Sequence, residues 1–353
     1  MPSEERYTRR RLLASSAVIA LGAVAGCSQS DTASTPTDTP PPETETETEA
    51  ETETEMETET ETETETETET ETPAEGVETV VSIPGDLVPE NMAFDEDGNF
   101  YFGITAGQVR MLPADQTGST GLALEETEQV ATIPGAIGVE TAPDGTIYVA
   151  VVTEDDRTGL WEVPTDGDPS QLVALSGFPN DILFDADRDR MLVTESMAGV
   201  VHAIGTDGSQ SVWFEDDRLD TEGFGVNGIT RDEDGNIYLA VTQGPDDTGR
   251  LLQVPVGDDG SAGEATTVLD GPEIFGADGI TARDGDIYLA ANSQNLVLRV
   301  TPEGETTTVA SGDDGLVFPS DVLFGPGELS DSLFICNFAN PSPGDGAILR
   351  TQI

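Results

Sequence analysis

Glu90, Asn180, Asn227 and Asp278 are hard-oxygen side chains at one recurring place, five residues ahead of the Asp, or its equivalent, in a repeated segment. Ile137 and Ser320 fill that place in the two remaining copies. Two carboxylates brought together repel and raise one another's pKa unless a cation lies between them. Glu and Asp carboxylates, with Asn carbonyls and water completing roughly six to eight contacts, suit Ca²⁺. Zinc is disfavoured, because neither a histidine nor a second thiol is on hand. The competing reading is that these polar groups only satisfy backbone groups and water.

The elements that position them are read from the repeat. A small residue or proline, a polar residue, a short apolar run, an Asp-Gly turn and an aromatic or β-branched strand recur about every 46 residues. Copies begin at Pro89-Glu90-Asn91-Met92-Ala93-Phe94-Asp95, Pro179-Asn180-Asp181-Ile182, Val226-Asn227-Gly228-Ile229, Ala277-Asp278-Gly279-Ile280 and Pro319-Ser320-Asp321-Val322, and the second copy carries Asp144-Gly145-Thr146-Ile147-Tyr148. Each copy holds four short strands bounded by turn signals, and no sustained helical period interrupts them. The fold class expected is all-β, a six-bladed β-propeller of four-stranded blades. A sandwich or β-helix does not predict four strands in such a period. The last copy stops after three strands. Residues 77–83 supply the fourth, so the ring closes by pairing the N-terminal strand with the C-terminal one and removes an open edge. Innermost strands line a propeller's channel, so the six recurring positions converge on its axis.

With those residues in place, the blades resemble the gluconolactonase/senescence-marker-protein family of calcium-dependent propellers, related to diisopropylfluorophosphatase and paraoxonase. Single blades are also similar to NHL-type repeats. The resemblance spans residues 77–353. It implies that Glu90 from the first blade, Asn180 and Asn227 from the third and fourth, and Asp278 from the fifth hold a catalytic Ca²⁺. It also implies that Asp278 serves as general base or nucleophile toward a lactone or related ester. Ser320 and Asp321 are sixth-blade candidates for a substrate or supporting contact. Ile137 stands where paraoxonases carry a catalytic histidine, and His202 lies in a different strand of the third blade, which argues against a histidine-based mechanism.

Charge sets the surroundings. The 353 residues hold 70 acids and 14 bases, every base an arginine, for a net charge of −56. Residues 77–353 keep 50 acids against 10 arginines, so the folded part is itself strongly acidic. That excludes a basic footprint for nucleic acid and a polybasic lipid contact. Molar salt shrinks the Debye length to roughly 3 Å and screens the self-repulsion. With no lysine present, the expected source is an extreme halophile.

Residues 1–27 read as an export signal: Arg9-Arg10-Arg11, an apolar stretch over 12–25 too short to span a bilayer, and Val24-Ala25-Gly26-Cys27, similar to a lipobox. Cys27 is then the lipidation site and the chain a cell-surface lipoprotein. Residues 28–76, mostly Glu-Thr alternation, form an expected disordered stalk. Cys336, in an apolar run, is expected to be a small buried hydrophobe. The function expected is a lactone or ester hydrolase. The alternative is a non-catalytic surface propeller that binds carbohydrate, peptide or protein, which short loops at residues 153–158, 243–248 and 340–345 would favour. Expected partners are a small-molecule substrate, the membrane through Cys27 only and no nucleic acid, with the chain a monomer.

Overall fold

In the computed structural model, which describes residues 76–340, 342 and 344–353, the repeats fold into six sheets arranged as the blades of a β-propeller. The export signal, Cys27 and all but the last stalk residue lie outside the described residues. The inner strands are Pro89–Phe94, Ala136–Thr141, Pro179–Asp185, Val226–Arg231, Ala277–Arg283 and Pro319–Phe324. Each packs against the inner strands of both neighbouring blades, the sixth returning to the first.

Burial explains the strand compositions. Second strands are covered on both faces by adjacent blades. Ile147–Val151 and Ile237–Val241 are therefore buried throughout and read as unbroken apolar runs. Outermost strands face solvent, and Thr306–Ser311 opens with three exposed threonines. Between inner and second strands, the first Asp of Asp-x-Asp-Gly holds the turn. Asp95 Oδ1 accepts from the Asn99 backbone at 2.8 Å, as Asp232 Oδ1 does from Asn236. Gly98 and Gly235 take the positive φ these turns require, 84° and 87°.

The apolar core is divided into six layers, one between each pair of blades. In the layer joining blades 6 and 1, Phe94, Phe100 and Phe334 pack in tilted and edge-to-face contacts with centroids 4.9–5.3 Å apart. Cys336 is fully buried in the same layer, as expected of a small apolar side chain. His202 sits in the third strand of blade 3, Val200–Gly205, away from the channel.

Ring closure follows the expected pairing. Glu78–Ser82 runs antiparallel to Ala347–Gln352 and becomes the fourth strand of blade 6. The two-residue strand Leu122–Ala123 then pairs in parallel with Val81 and Ser82, covering the new edge. Blades 3 and 4 are tied differently. The buried Asp185 carboxylate takes Arg188, Arg190 and Arg231 at 3.3, 2.9 and 2.9 Å.

Inner strands approach so closely that some positions tolerate no side chain. A Cβ on Gly138 would run into the Asn180 carbonyl oxygen, and one on Gly228 into that of Asp278. Both obstacles are backbone atoms and cannot swing away. Gly138→Ala is expected to destabilise the domain by about 3 kcal/mol, at the upper end of overpacking costs. Urea unfolding at fixed molar salt checks this, and a loss under about 0.5 kcal/mol would show that the strands can part freely.

Candidate active site in the propeller channel

Every inner strand carries the same irregularity. Pro89 lies opposite Ile104 and Met92 opposite Phe102, so Glu90 and Asn91 together face the single residue Gly103. Equivalent register breaks fall at Ile137 and Gly138, Asn180 and Asp181, Asn227 and Gly228, Asp278 and Gly279, and Ser320. A bulge re-aims side chains that regular pleating would send to opposite faces. The second residue of every inner strand, which is the position singled out by the repeat, therefore stands on a bulge.

Neighbouring strands fix three of these side chains. Asn180 Nδ2 donates to Ser196 Oγ at 3.1 Å, and Asn227 Nδ2 donates to Thr242 Oγ1 at 3.0 Å. Asn292 Nδ2 donates to Asp278 Oδ2 at 2.7 Å. Ser196, Thr242 and Asn292 each directly follow the second strand of their own blade, so blades 3, 4 and 5 use one device. With Nδ2 held by a hydroxyl, Oδ1 is the atom each asparagine has left to offer a ligand. Ile137 is buried and adds no polar atom.

The sixth-blade candidates serve as struts. Ser320 Oγ donates to the Glu90 carbonyl at 2.6 Å, and Asp321 accepts from the Met92 and Val322 backbone N–H groups at 3.0 and 2.8 Å. Both fasten blade 6 to blade 1 beneath Glu90.

Two residues given no role in the sequence reading join the site. Asp181 accepts from Ile182 and Ile229 backbone N–H groups at 2.8 and 2.9 Å and from Asn91 Nδ2 at 3.1 Å. Asn91 Oδ1 accepts from the Val139 N–H at 2.9 Å. Asn91, Asp181 and Asp321 thus each bridge to the inner strand of the next blade. Their only signal in the sequence is adjacency to the recurring position.

Four carboxylates share this space. Burial pushes the Glu90 carboxyl well above its usual range, and the charges of Asp278, Asp321 and Asp181 push it further. Burial raises Asp278 to about 7, with Asp181 adding to the rise and the Asn292 and Asn227 amides opposing it. Asp181 is raised to about 6 by burial, against its backbone hydrogen bonds. Asp321 is raised by burial and by Asp181. No arginine figures among the groups acting on these four.

Such concentrated, uncompensated negative charge among hard oxygens fits a divalent cation. No three His, Cys, Asp or Glu side chains among the described residues stand close enough to hold an ion alone. An ion here would need the asparagine carbonyls as well as Glu90 and Asp278, with water completing its shell. Two surface clefts among the described residues, one beside Arg188 and Arg190 and one between Tyr148 and Phe184, lie elsewhere and contain none of these residues.

The architecture defined is that of the six-bladed propellers that include gluconolactonases and regucalcin. No protein-family model and no curated protein matches the chain. Among solved structures it is similar to a calcium-binding protein, regucalcin, from Agrobacterium tumefaciens, at 17% identity and TM-score 0.58 over 79% of this chain and 93% of that one. A gluconolactonase from Xanthomonas campestris is similar at 15% identity and TM-score 0.56, covering 79% and 89%. The PQQ-bound aldose sugar dehydrogenase of Streptomyces coelicolor is similar at 14% identity and TM-score 0.59, covering 79% and 97%. Identities this low establish the shared fold. They leave the reaction to be argued from the residues.

Proposed function

We propose that this chain is a calcium-dependent hydrolase of lactones or related esters, a member of the gluconolactonase-like propellers, carried outside the cell of an extreme halophile on lipidated Cys27 and an acidic stalk. The observation that carries the reading is the ring of hard-oxygen groups at one bulged position, Glu90, Asn180, Asn227 and Asp278, in a field of carboxylates without a counter-cation. These four would hold the ion. Calcium, when bound, would supply Lewis acidity toward a substrate carbonyl. Asp278, oriented by Asn292, would take the proton of the attacking water. Asn180 and Asn227 are held for this by Ser196 and Thr242. Asn91, Asp181, Ser320 and Asp321 keep the inner strands in register.

A panel of lactones and arylesters at molar salt, with and without a calcium chelator, tests the proposal. Turnover that disappears with chelator and returns with calcium is expected. No turnover, with no metal recovered from purified protein, would make this a surface-binding propeller instead. The connections between second and third strands favour that second reading, since the longest are short and offer little to cover the channel.

A further inference from the structure

Seven of the twelve phenylalanines lie in strands, where they pack between blades. The other five, Phe178, Phe224, Phe275, Phe318 and Phe338, all lie in loops, and all five loops are at one end of the ring. Four of them precede the inner strands of blades 3, 4, 5 and 6 by one or two residues, within three residues of Asn180, Asn227, Asp278 and Ser320. Phe338 directly follows the second strand of blade 6, which ends beside the start of that inner strand. All five are partly exposed. Phe178 and Phe224 meet edge to face at 5.0 Å, and Phe318 and Phe338 lie 5.9 Å apart.

These loops are held by polar side chains. Glu195 Oε1 accepts from the Phe178 N–H at 2.6 Å, and Gln243 Oε1 from the Phe224 N–H at 3.3 Å. Gln294 Nε2 donates to the Phe275 carbonyl at 3.0 Å, and Asn295 Oδ1 accepts from the Phe318 N–H at 2.8 Å. Phe318 is kept at φ 50°, a region that bulky side chains avoid, while Asn337 Oδ1 holds the preceding Val317 N–H at 2.7 Å. Each of these amides thus spends at least one of its two polar atoms on backbone, and Asn337 spends both. What they fasten is a rim of aromatic faces.

We propose that this aromatic collar selects substrates bearing an apolar substituent, an alkyl or aryl lactone or ester, over polyhydroxylated sugar lactones; the inference rests on the hydrolase reading above and specifies its substrate class. Ligand sites combine apolar walls with a few orienting polar groups, and here the polar groups are those of the channel ring. A polyol seated against the collar would give up water without regaining its hydrogen bonds. An alkyl chain would bury methylenes against phenylalanine, and the molar salt expected around this protein leaves that gain intact.

The test uses non-hydrolysable γ-lactams with alkyl chains of increasing length, titrated calorimetrically into the calcium-loaded protein at molar salt. Affinity is expected to rise about threefold per methylene over the first few carbons, and to exceed that of a polyhydroxylated lactam of equal size. In Phe178→Ala/Phe224→Ala the rise should flatten to less than about 1.5-fold per methylene, with Phe275→Ala as the second variant should circular dichroism show the double variant unfolded. A flat series in the unaltered protein, no binding of any member, or tighter binding of the polyhydroxylated lactam overturns the collar's role. Hydrolysis of the matching lactones is read separately. Its absence beside an intact lactam series sinks only the hydrolase reading.

Discussion

Asp278→Asn is expected to lower kcat/KM by about 10³-fold while raising the thermal stability of the calcium-free protein. The two effects share one origin. Asp278 is buried beside Asn227, and one carboxylate oxygen is already committed to Asn292. Replacing it with an amide removes one of the two anionic groups available to the ion and removes the only base assigned to the water. Loss of a general base alone costs about 10²–10⁴ in rate. The same change removes one member of a crowded carboxylate set, and in the absence of calcium that relieves repulsion felt by Glu90 and Asp321. A merely structural role would lower both quantities together. Calcium-dependent turnover within about tenfold of the unaltered protein would remove Asp278 from the chemistry.

The recurring position was legible because the repeat supplies its own ruler. The turn after each inner strand demands specific residues, and counting back five from its first Asp, or the equivalent residue, reaches the same place in each blade. Ring closure was legible for a related reason, since a blade lacking its fourth strand needs one from elsewhere. Asn91 and Asp181 were not. In a regular strand neighbours point to opposite faces, so a residue adjacent to the channel position belongs between blades. The bulge cancels that alternation, and nothing in a single sequence announces a bulge except a glycine, which here marks the blades without the strut. Leu122–Ala123 is too short to show any period. The phenylalanine collar escaped as well, because four members precede their strands by one residue in some blades and two in others while Phe338 follows a strand, which no fixed spacing captures.

Calcium removal is expected to make stability fall as pH rises from about 5 to 7.5, the reverse of ordinary acid denaturation. Asp278 is raised to about 7 and Asp181 to about 6, and Glu90 and Asp321 are raised also. A carboxyl whose folded pKa lies above its unfolded value near 4 stabilises the fold fully below that value and loses the contribution as pH climbs through the folded pKa. The window therefore runs from roughly pH 4 to just above 7. Asp185 and Asp216 are shifted the other way and are already ionised throughout it. Glu140, which burial raises to about 7, adds to the loss, and His202, whose pKa burial lowers and which favours the fold as pH rises, is one group against five. The net expected loss is a few kcal/mol, or a fall in Tm of about 5–10 °C for a domain of this size. With saturating calcium the ionised carboxylates gain a partner, binding releases protons, and the slope should vanish or reverse. Scanning calorimetry at fixed molar sodium chloride, with chelator or with calcium, separates the cases. A calcium-free Tm that holds steady or rises from pH 5 to 7.5 would mean that a cation of the chain already neutralises these groups, and the channel would then be no place for a metal.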